Sequence, residues 1–177
     1  VINAVHFVPQ SRPRLFIIAV KRDQQLPLGF KTELASDLWH PTALRRAHNQ
    51  LPQYLQEAWI WWHLPKPPLR KSMLADLIEE NPDSVSWHTT AETQRLLDLM
   101  MPLHLEKVEK VKKSQKKVVG TIYRRIRLNE NGVKAQCAEI RFDQVSGCLR
   151  TGSGGSSRQF IMVVEGDQIR SRLLSTR

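Results

Sequence analysis

The pattern of apolar and polar positions divides the chain into two halves of different character. Residues 15–20, Leu15-Phe16-Ile17-Ile18-Ala19-Val20, form an unbroken apolar run of strand length. Such a run suits a strand covered on both faces, as in a parallel sheet. One strand makes no sheet, so its neighbours are expected outside the chain, and the abrupt start at Val1 is expected to mark a truncated domain. Residues 21–32 carry no periodicity and are read as loop. A short helix is expected within residues 37–50, opened by Pro41, with Leu44 and Ala47 on one face and Arg45 and Arg46 on the other. A second is expected around residues 52–58, ahead of Trp59-Ile60-Trp61-Trp62. The prolines of Leu64-Pro65-Lys66-Pro67-Pro68 fix the backbone and remove donors, so this stretch reads as an extended crossing segment. Residues 73–80 have the pattern of a short amphipathic helix. Thr89 and Glu92 have capping-box spacing, and a helix with Leu96, Leu97 and Met100 on its apolar side should follow, with Pro102 ending or restarting it.

The second half is richer in β-branched, aromatic and basic residues. Residues 118–128 and 133–142 read as two strands, and Asn129-Glu130-Asn131-Gly132 between them is a hairpin signal. Residues 158–164 and 168–174 read as a second strand pair around Gly166-Asp167. Between the pairs, Gly147-Cys148-Leu149-Arg150-Thr151-Gly152-Ser153-Gly154-Gly155-Ser156-Ser157-Arg158 is too rich in glycine for regular structure. No internal repeat is present.

Composition narrows the class. With 41% hydrophobic and 25% charged residues the chain has the balance of a globular domain rather than a disordered one. No apolar run approaches the roughly 18 residues a membrane span needs, and no secretory pattern opens the sequence, so an intracellular, cytoplasmic protein is expected. Cys137 and Cys148 are too few for a disulfide framework or a zinc site and are read as buried thiols. The six histidines are scattered and suggest neither a metal site nor a triad.

Charge adds a partner class. Lys and Arg number 27 against 17 Asp and Glu, a net charge of +10 that favours polyanions through counterion release. The densest stretch is Lys107, Lys110, Lys112, Lys113, Lys116, Lys117, Arg124, Arg125 and Arg127, with Glu109 as its internal acid. Because it leads into a strand carrying Tyr123 among arginines, it is expected to contact phosphates and a few base edges. The glycine-rich segment offers exposed amides and hydroxyls to phosphate oxygens, although it lacks the Gly-Lys-Ser/Thr ending of a nucleotide-binding loop. Trp59, Trp61, Trp62 and Trp87 are read as packing residues rather than base-stacking platforms.

Gln10-x-Arg12-x-Arg14 leads into the first apolar run, where alternate arginines present planar donors to one side. By itself such a pattern is most simply a pair of surface arginines. The whole run Phe7-Val8-Pro9-Gln10-Ser11-Arg12-Pro13-Arg14-Leu15-Phe16-Ile17-Ile18 resembles the segment of DNA cytosine-5 methyltransferases built around the Gln-x-Arg-x-Arg signature. The glycine-rich segment, the strand pair after it and Arg172-Leu173-Leu174-Ser175-Thr176-Arg177 look like the end of the target-recognition domain in that family. Trp61-Trp62-x-Leu64-Pro65-x-Pro67-Pro68, Val119-Gly120-Thr121-x-Tyr123-Arg124-Arg125-x-Arg127 and Glu139-x-Arg141-Phe142-Asp143 resemble the recognition region of a bacterial and phage-like branch.

The resemblance implies an α+β chain: a piece of a Rossmann-like α/β catalytic sheet over residues 1–30, then a helical and hairpin-rich target-recognition domain over residues 31–177. It implies a parent enzyme that transfers a methyl group from S-adenosylmethionine to a flipped cytosine in double-stranded DNA. In the family a Pro-Cys thiolate attacks the ring and a Glu-Asn-Val glutamate engages it. This sequence has neither segment, nor an early glycine-rich cofactor loop, so the chain alone is expected to be inactive and to hold no cofactor. Carried over residue by residue, Arg14 would contact the flipped base, with Gln10 and Arg12 supporting the active-site loop. Arg124, Arg125, Arg127, Arg141 and Arg150 to Arg158 would face DNA. A monomer is expected, in a nucleoid-associated parent protein. Two other readings remain open: a non-catalytic nucleic-acid-binding module, for RNA among others, and an inactive relative serving as a partner.

Overall fold

The computed structural model describes residues 1–128, 132–149 and 159–175. The fold is mixed α+β, with two two-stranded antiparallel sheets and one four-stranded antiparallel sheet. Two compact units divide the chain: residues 1–3 with 13–69, and residues 4–12 with 70–177.

In the first unit, β1 (Ile2–Asn3) pairs antiparallel with β2 (Pro13–Arg14), and β3 (Lys31–Thr32) with β4 (Trp61–Trp62). Helices α1 (Thr42–Asn49) and α2 (Gln53–Glu57) each begin directly after a proline, Pro41 and Pro52. The fixed φ of proline suits that position, and each proline carbonyl accepts from the first helical amides: Leu44 and Arg45 on Pro41, Leu55 and Gln56 on Pro52. The inward positions of α1 differ from the expected stripe. Leu44 and His48, four residues apart, are half-buried while Ala47 is exposed. The reason is the aromatic cluster beneath the helix, where the Trp61 ring lies 4.9 Å from His48, 4.8 Å from His40 and 5.4 Å from Trp59. Trp59 and Trp61 therefore take part in packing, as expected. Trp39 is the most deeply buried of this unit's tryptophans, its indole N–H donating to the Leu64 carbonyl at 3.1 Å.

The apolar run 15–20 is where sequence and structure part. No strand forms there, and Leu15, Phe16, Ile17 and Ile18 are all exposed, Ile17 by 84%. A strand exists only as part of a ladder, and the ladder given by β1 ends at Arg14, so the residues beyond it have no backbone partners among the described residues. Their side chains line an apolar cavity of about 520 Å³ with Trp39, Leu44, Trp59 and Leu64.

The second unit holds the four-stranded sheet, ordered β6-β5-β7-β8: β5 (Val118–Leu128), β6 (Lys134–Arg141), β7 (Phe160–Glu165) and β8 (Gln168–Leu173). Both expected strand pairs are present, and β5 joins them by pairing with β7 from Val118↔Val164 to Ile122↔Phe160. Strand alternation then sorts the side chains onto two faces. Ile122, Ala138, Ile140, Phe160, Met162 and Val164 point one way and pack with Leu96, Met100 and Val108 of the helical layer. On the opposite face Val119 and Val163 pack with Leu74.

The helical layer is α3 (Thr90–Asp98) and α4 (Pro102–Lys113). Thr89 caps α3 in a complete capping box: its hydroxyl accepts from the Glu92 amide at 3.2 Å and the Glu92 carboxylate accepts from the Thr89 amide at 2.8 Å. Pro102 occupies the first turn of α4, so it restarts the helix. The expected helix at 73–80 is reduced to one 3₁₀ turn, Ala75–Leu77. Gln144 explains the shortening: its carbonyl accepts from Leu74 and its side-chain oxygen from Ala75, fixing the segment against the sheet by contacts outside any helix.

The face opposite the helices also carries a buried cation. Arg172 is fully buried, donates to the Glu79 carbonyl at 2.7 Å and lies 5.0 Å from the Trp87 ring centroid. Burial pushes its pKa down. Beside it Glu80 bridges Lys117 at 2.8 Å and Arg170 at 2.6 Å. Hydrogen bonds from Lys117 and then Arg170 hold the Glu80 carboxyl down at about 2, against an ordinary value of 4.5. A carboxyl depressed in the folded state stabilises above its unfolded pKa, and that contribution is lost as pH falls. The melting-temperature difference between wild type and Glu80→Gln is therefore expected to be full at pH 7, to shrink below about pH 4.5 and to vanish toward pH 2. The group is half-exposed, so the difference is small, and one that grows on acidification contradicts this assignment.

Candidate nucleic-acid interface

The β5–β6 hairpin extends past the helical layer, and its outer half carries the basic residues. Register places Tyr123 opposite Glu139, Arg125 opposite Cys137, Arg127 opposite Ala135 and Thr121 opposite Arg141. Side chains of directly paired residues share a face, so Tyr123, Arg125, Arg127, Glu139 and Arg141 all project to the side away from the helices. Arg125 and Arg127 are exposed and converge on one carboxylate. Arg125 Nε lies 3.2 Å from Glu139 Oε2, and Arg127 reaches Oε1 through Nη2 at 2.6 Å and Nε at 2.9 Å. The Arg125 guanidinium also lies 5.6 Å from the Tyr123 ring centroid.

Arg141 forms a two-pronged pair with Asp143, its Nε donating to Oδ1 at 2.6 Å and Nη2 to Oδ2. Each partner holds the other charged: Asp143 raises the Arg141 pKa, and Arg141 lowers that of Asp143. An open cleft of about 390 Å³ runs along this edge of the sheet, lined by Lys107, Tyr123, Arg125, Glu139, Arg141 and Ser11 among others. Gly147 closes one wall. A Cβ there would overlap the Tyr123 ring, so glycine is what lets the backbone approach that closely.

The same cleft brings together two regions that lie far apart in sequence. Gln10 and Ser146 form a parallel bridge, with Ser11 N–H donating to the Ser146 carbonyl and Ser146 N–H to the Pro9 carbonyl, both at 2.8 Å. Arg12 Nη1 donates to the Leu149 carbonyl at 2.9 Å. The first two members of the Gln-x-Arg-x-Arg pattern are thus tied to the start of the glycine-rich segment. Arg14 belongs to the other unit, in β2, where its Nη1 donates to the Pro13 carbonyl at 2.8 Å. Of the remaining expected interface residues, Arg150, Thr151, Gly152, Ser153, Gly154, Gly155, Ser156, Ser157 and Arg158 lie outside the described residues.

Arg124 does not join the others. Strand alternation turns it to the helix-covered face, where its guanidinium lies 4.8 Å from the Phe160 centroid and its buried Nε has no hydrogen-bond partner among the described residues. The lysines divide as well. Lys112 pairs with Glu109 at 3.2 Å and Asp167 at 3.6 Å, and Lys117 with Glu80. Among the described residues no ion pair engages the exposed Lys107, Lys110, Lys113 or Lys116. Cys137 is buried, as expected, while Cys148 is half-buried at the cleft, and both are free thiols.

Comparison with protein-family models, curated proteins and solved structures gives no match. The chemistry of the interface therefore rests on its own residues. Among the described residues no cluster of three or more His, Cys, Asp or Glu side chains is arranged to hold a metal, and no helix is long and apolar enough to cross a membrane. Two features of this face escape a reading of the sequence. Glu139 is the acid that organises the hairpin arginines, and Gly147 is the close-approach position; each depends on strand register or on a contact with Tyr123.

Proposed function

We propose that this chain is the DNA-reading portion of a DNA cytosine-5 methyltransferase, acting as a monomer on double-stranded DNA and inactive without the rest of its parent enzyme. The observation that carries the proposal is the tie between Gln10, Ser11, Arg12 and the segment Ser146 to Leu149. A recognition segment and an active-site signature would have to lie beside each other to serve one reaction, and the contact between Gln10 to Arg12 and Ser146 to Leu149 supports that reading. The hairpin supports the same reading. Arg125, Arg127 and Arg141 share one face with Lys107 nearby, which suits phosphate contacts that position a duplex while neighbouring side chains reach base edges.

The methyl donor of such a parent would be S-adenosylmethionine. The described residues do not fit it: the larger cavity is lined by aliphatic and aromatic side chains, His40 among them, and offers no carboxylate for ribose hydroxyls. The proposed role of this chain is thus binding and orientation of DNA. Titrating a fluorescent DNA duplex with the chain at low salt, with RNA duplex and single strands as competitors, tests it. Preference for the DNA duplex is expected. Preference for RNA favours a separate nucleic-acid-binding module and contradicts the methyltransferase assignment.

A further inference from the structure

Glu139 is an unusual neighbour for a phosphate-binding strand. Its side chain is 23% exposed, and it faces the same side of the sheet as the two guanidiniums it binds, each of which is 51% exposed. Both carboxylate oxygens are engaged, one by Arg125 and the other by Arg127. The two arginines are two residues apart on β5, so strand alternation alone puts them on one face, and Glu139 on β6 lies on that face directly opposite Tyr123. Phosphate and carboxylate present the same chemistry to a guanidinium fork, two oxygens accepting parallel N–H donors.

We infer that the Arg125–Arg127 pair is a phosphodiester-binding site and that the Glu139 carboxylate occupies it in the free protein as a built-in phosphate surrogate. The inference rests on the proposal that the chain binds nucleic acid. On binding, a backbone phosphate takes the oxygen positions held by Glu139, and the carboxylate turns to solvent or to Lys107 across the cleft. The exchange is feasible because an exposed ion pair contributes little to stability, whereas each phosphate neutralised by a protein cation releases counterions from the duplex. The free hairpin also gains: with Glu139 in place its two guanidiniums are held around one carboxylate, one on each oxygen, with Arg125 near the Tyr123 ring, before any ligand arrives. The net charge of the triad is +1 with Glu139 ionised and +2 without it. Weak binding to arbitrary anions is the consequence of the first state.

Duplex binding by wild type, Glu139→Gln, Arg127→Gln and the double variant tests this. Glu139→Gln keeps an acceptor oxygen and removes the charge. At 0.1 M salt it is expected to bind a 20-base-pair duplex about five- to ten-fold more tightly, with the salt dependence steeper by about 0.9 in log–log slope. Adding Arg127→Gln should cancel most of that gain. If wild type binds with normal salt dependence and Glu139→Gln binds equally or more weakly, the inference fails while the DNA-reading proposal stands. The weaker result is what a carboxylate contacting a base amine would give. If neither wild type nor Glu139→Gln binds, both are overturned. Should the variant not fold, NMR of the arginine Nε–H groups in wild type replaces it: shifts at Arg125 and Arg127 on adding duplex are expected, and unmoved signals overturn the inference.

Discussion

Ile122→Ala is expected to lower the stability of the second unit by about 3 to 4 kcal/mol, the cost of removing a buried isoleucine side chain and leaving a cavity. Ile122 is fully buried on β5, flanked in register by Ile140 and Phe160, and belongs to the cluster that joins the sheet to Leu96, Met100 and Val108. A native domain holds only about 5 to 15 kcal/mol in total, so this one change removes a large share of it. Ile126 supplies the control. It lies on the same strand and the same face four residues on, but past the helical layer, where it is 68% exposed. Ile126→Ala should change stability by less than about 0.5 kcal/mol. Denaturant midpoints compare the two, and equal losses would contradict the placement of the core.

The second large effect is on binding. Replacing Arg125 and Arg127 together by glutamine takes the charge of the triad with Glu139 from +1 to −1. With a contribution of about 0.9 in log–log slope per phosphate contact, affinity for duplex DNA at 0.1 M salt should fall about 60-fold and the slope flatten by about 1.8. Arg124→Gln is the matched control, because that side chain lies on the helix-covered face over Phe160. It should leave the salt slope unchanged. Equal losses from Arg124→Gln and the double variant would mean that bulk charge, not the outward face of the hairpin, drives binding.

The hairpins were legible in the sequence because local rules govern them. β5 and β6 span Val118–Leu128 and Lys134–Arg141, with Gly132 at φ 73° just before β6 and Gly166 at φ 55° turning β7 into β8. The capping box at Thr89 likewise announced α3, since two hydrogen bonds three residues apart leave a readable signature. Non-local contacts leave no such signature. Pairing of β5 with β7 spans more than thirty residues of chain, and nothing in either strand names its partner. The charge run around Lys107 to Arg127 has one acid within it, Glu109, and Glu80, Glu139 and Asp167 reach it only through the fold. Leu15 to Val20 has the composition of a buried strand, yet composition supplies no hydrogen-bond partners, and the ladder stops at Arg14. The contact between Gln10 to Arg12 and Ser146 to Leu149 belongs to the same class: two segments more than a hundred residues apart, joined by backbone groups that every residue carries.

The central claim, that this chain reads DNA through a basic face built on the β5–β6 hairpin and the cleft beside it, is tested most directly by its affinity for a DNA duplex measured between 50 and about 300 mM salt. Engagement of Arg125, Arg127, Arg141 and Lys107 predicts a straight decline of log affinity with log salt, with a slope of about −3.6. Absence of binding at 50 mM salt, or an affinity indifferent to salt over about that range, would contradict it.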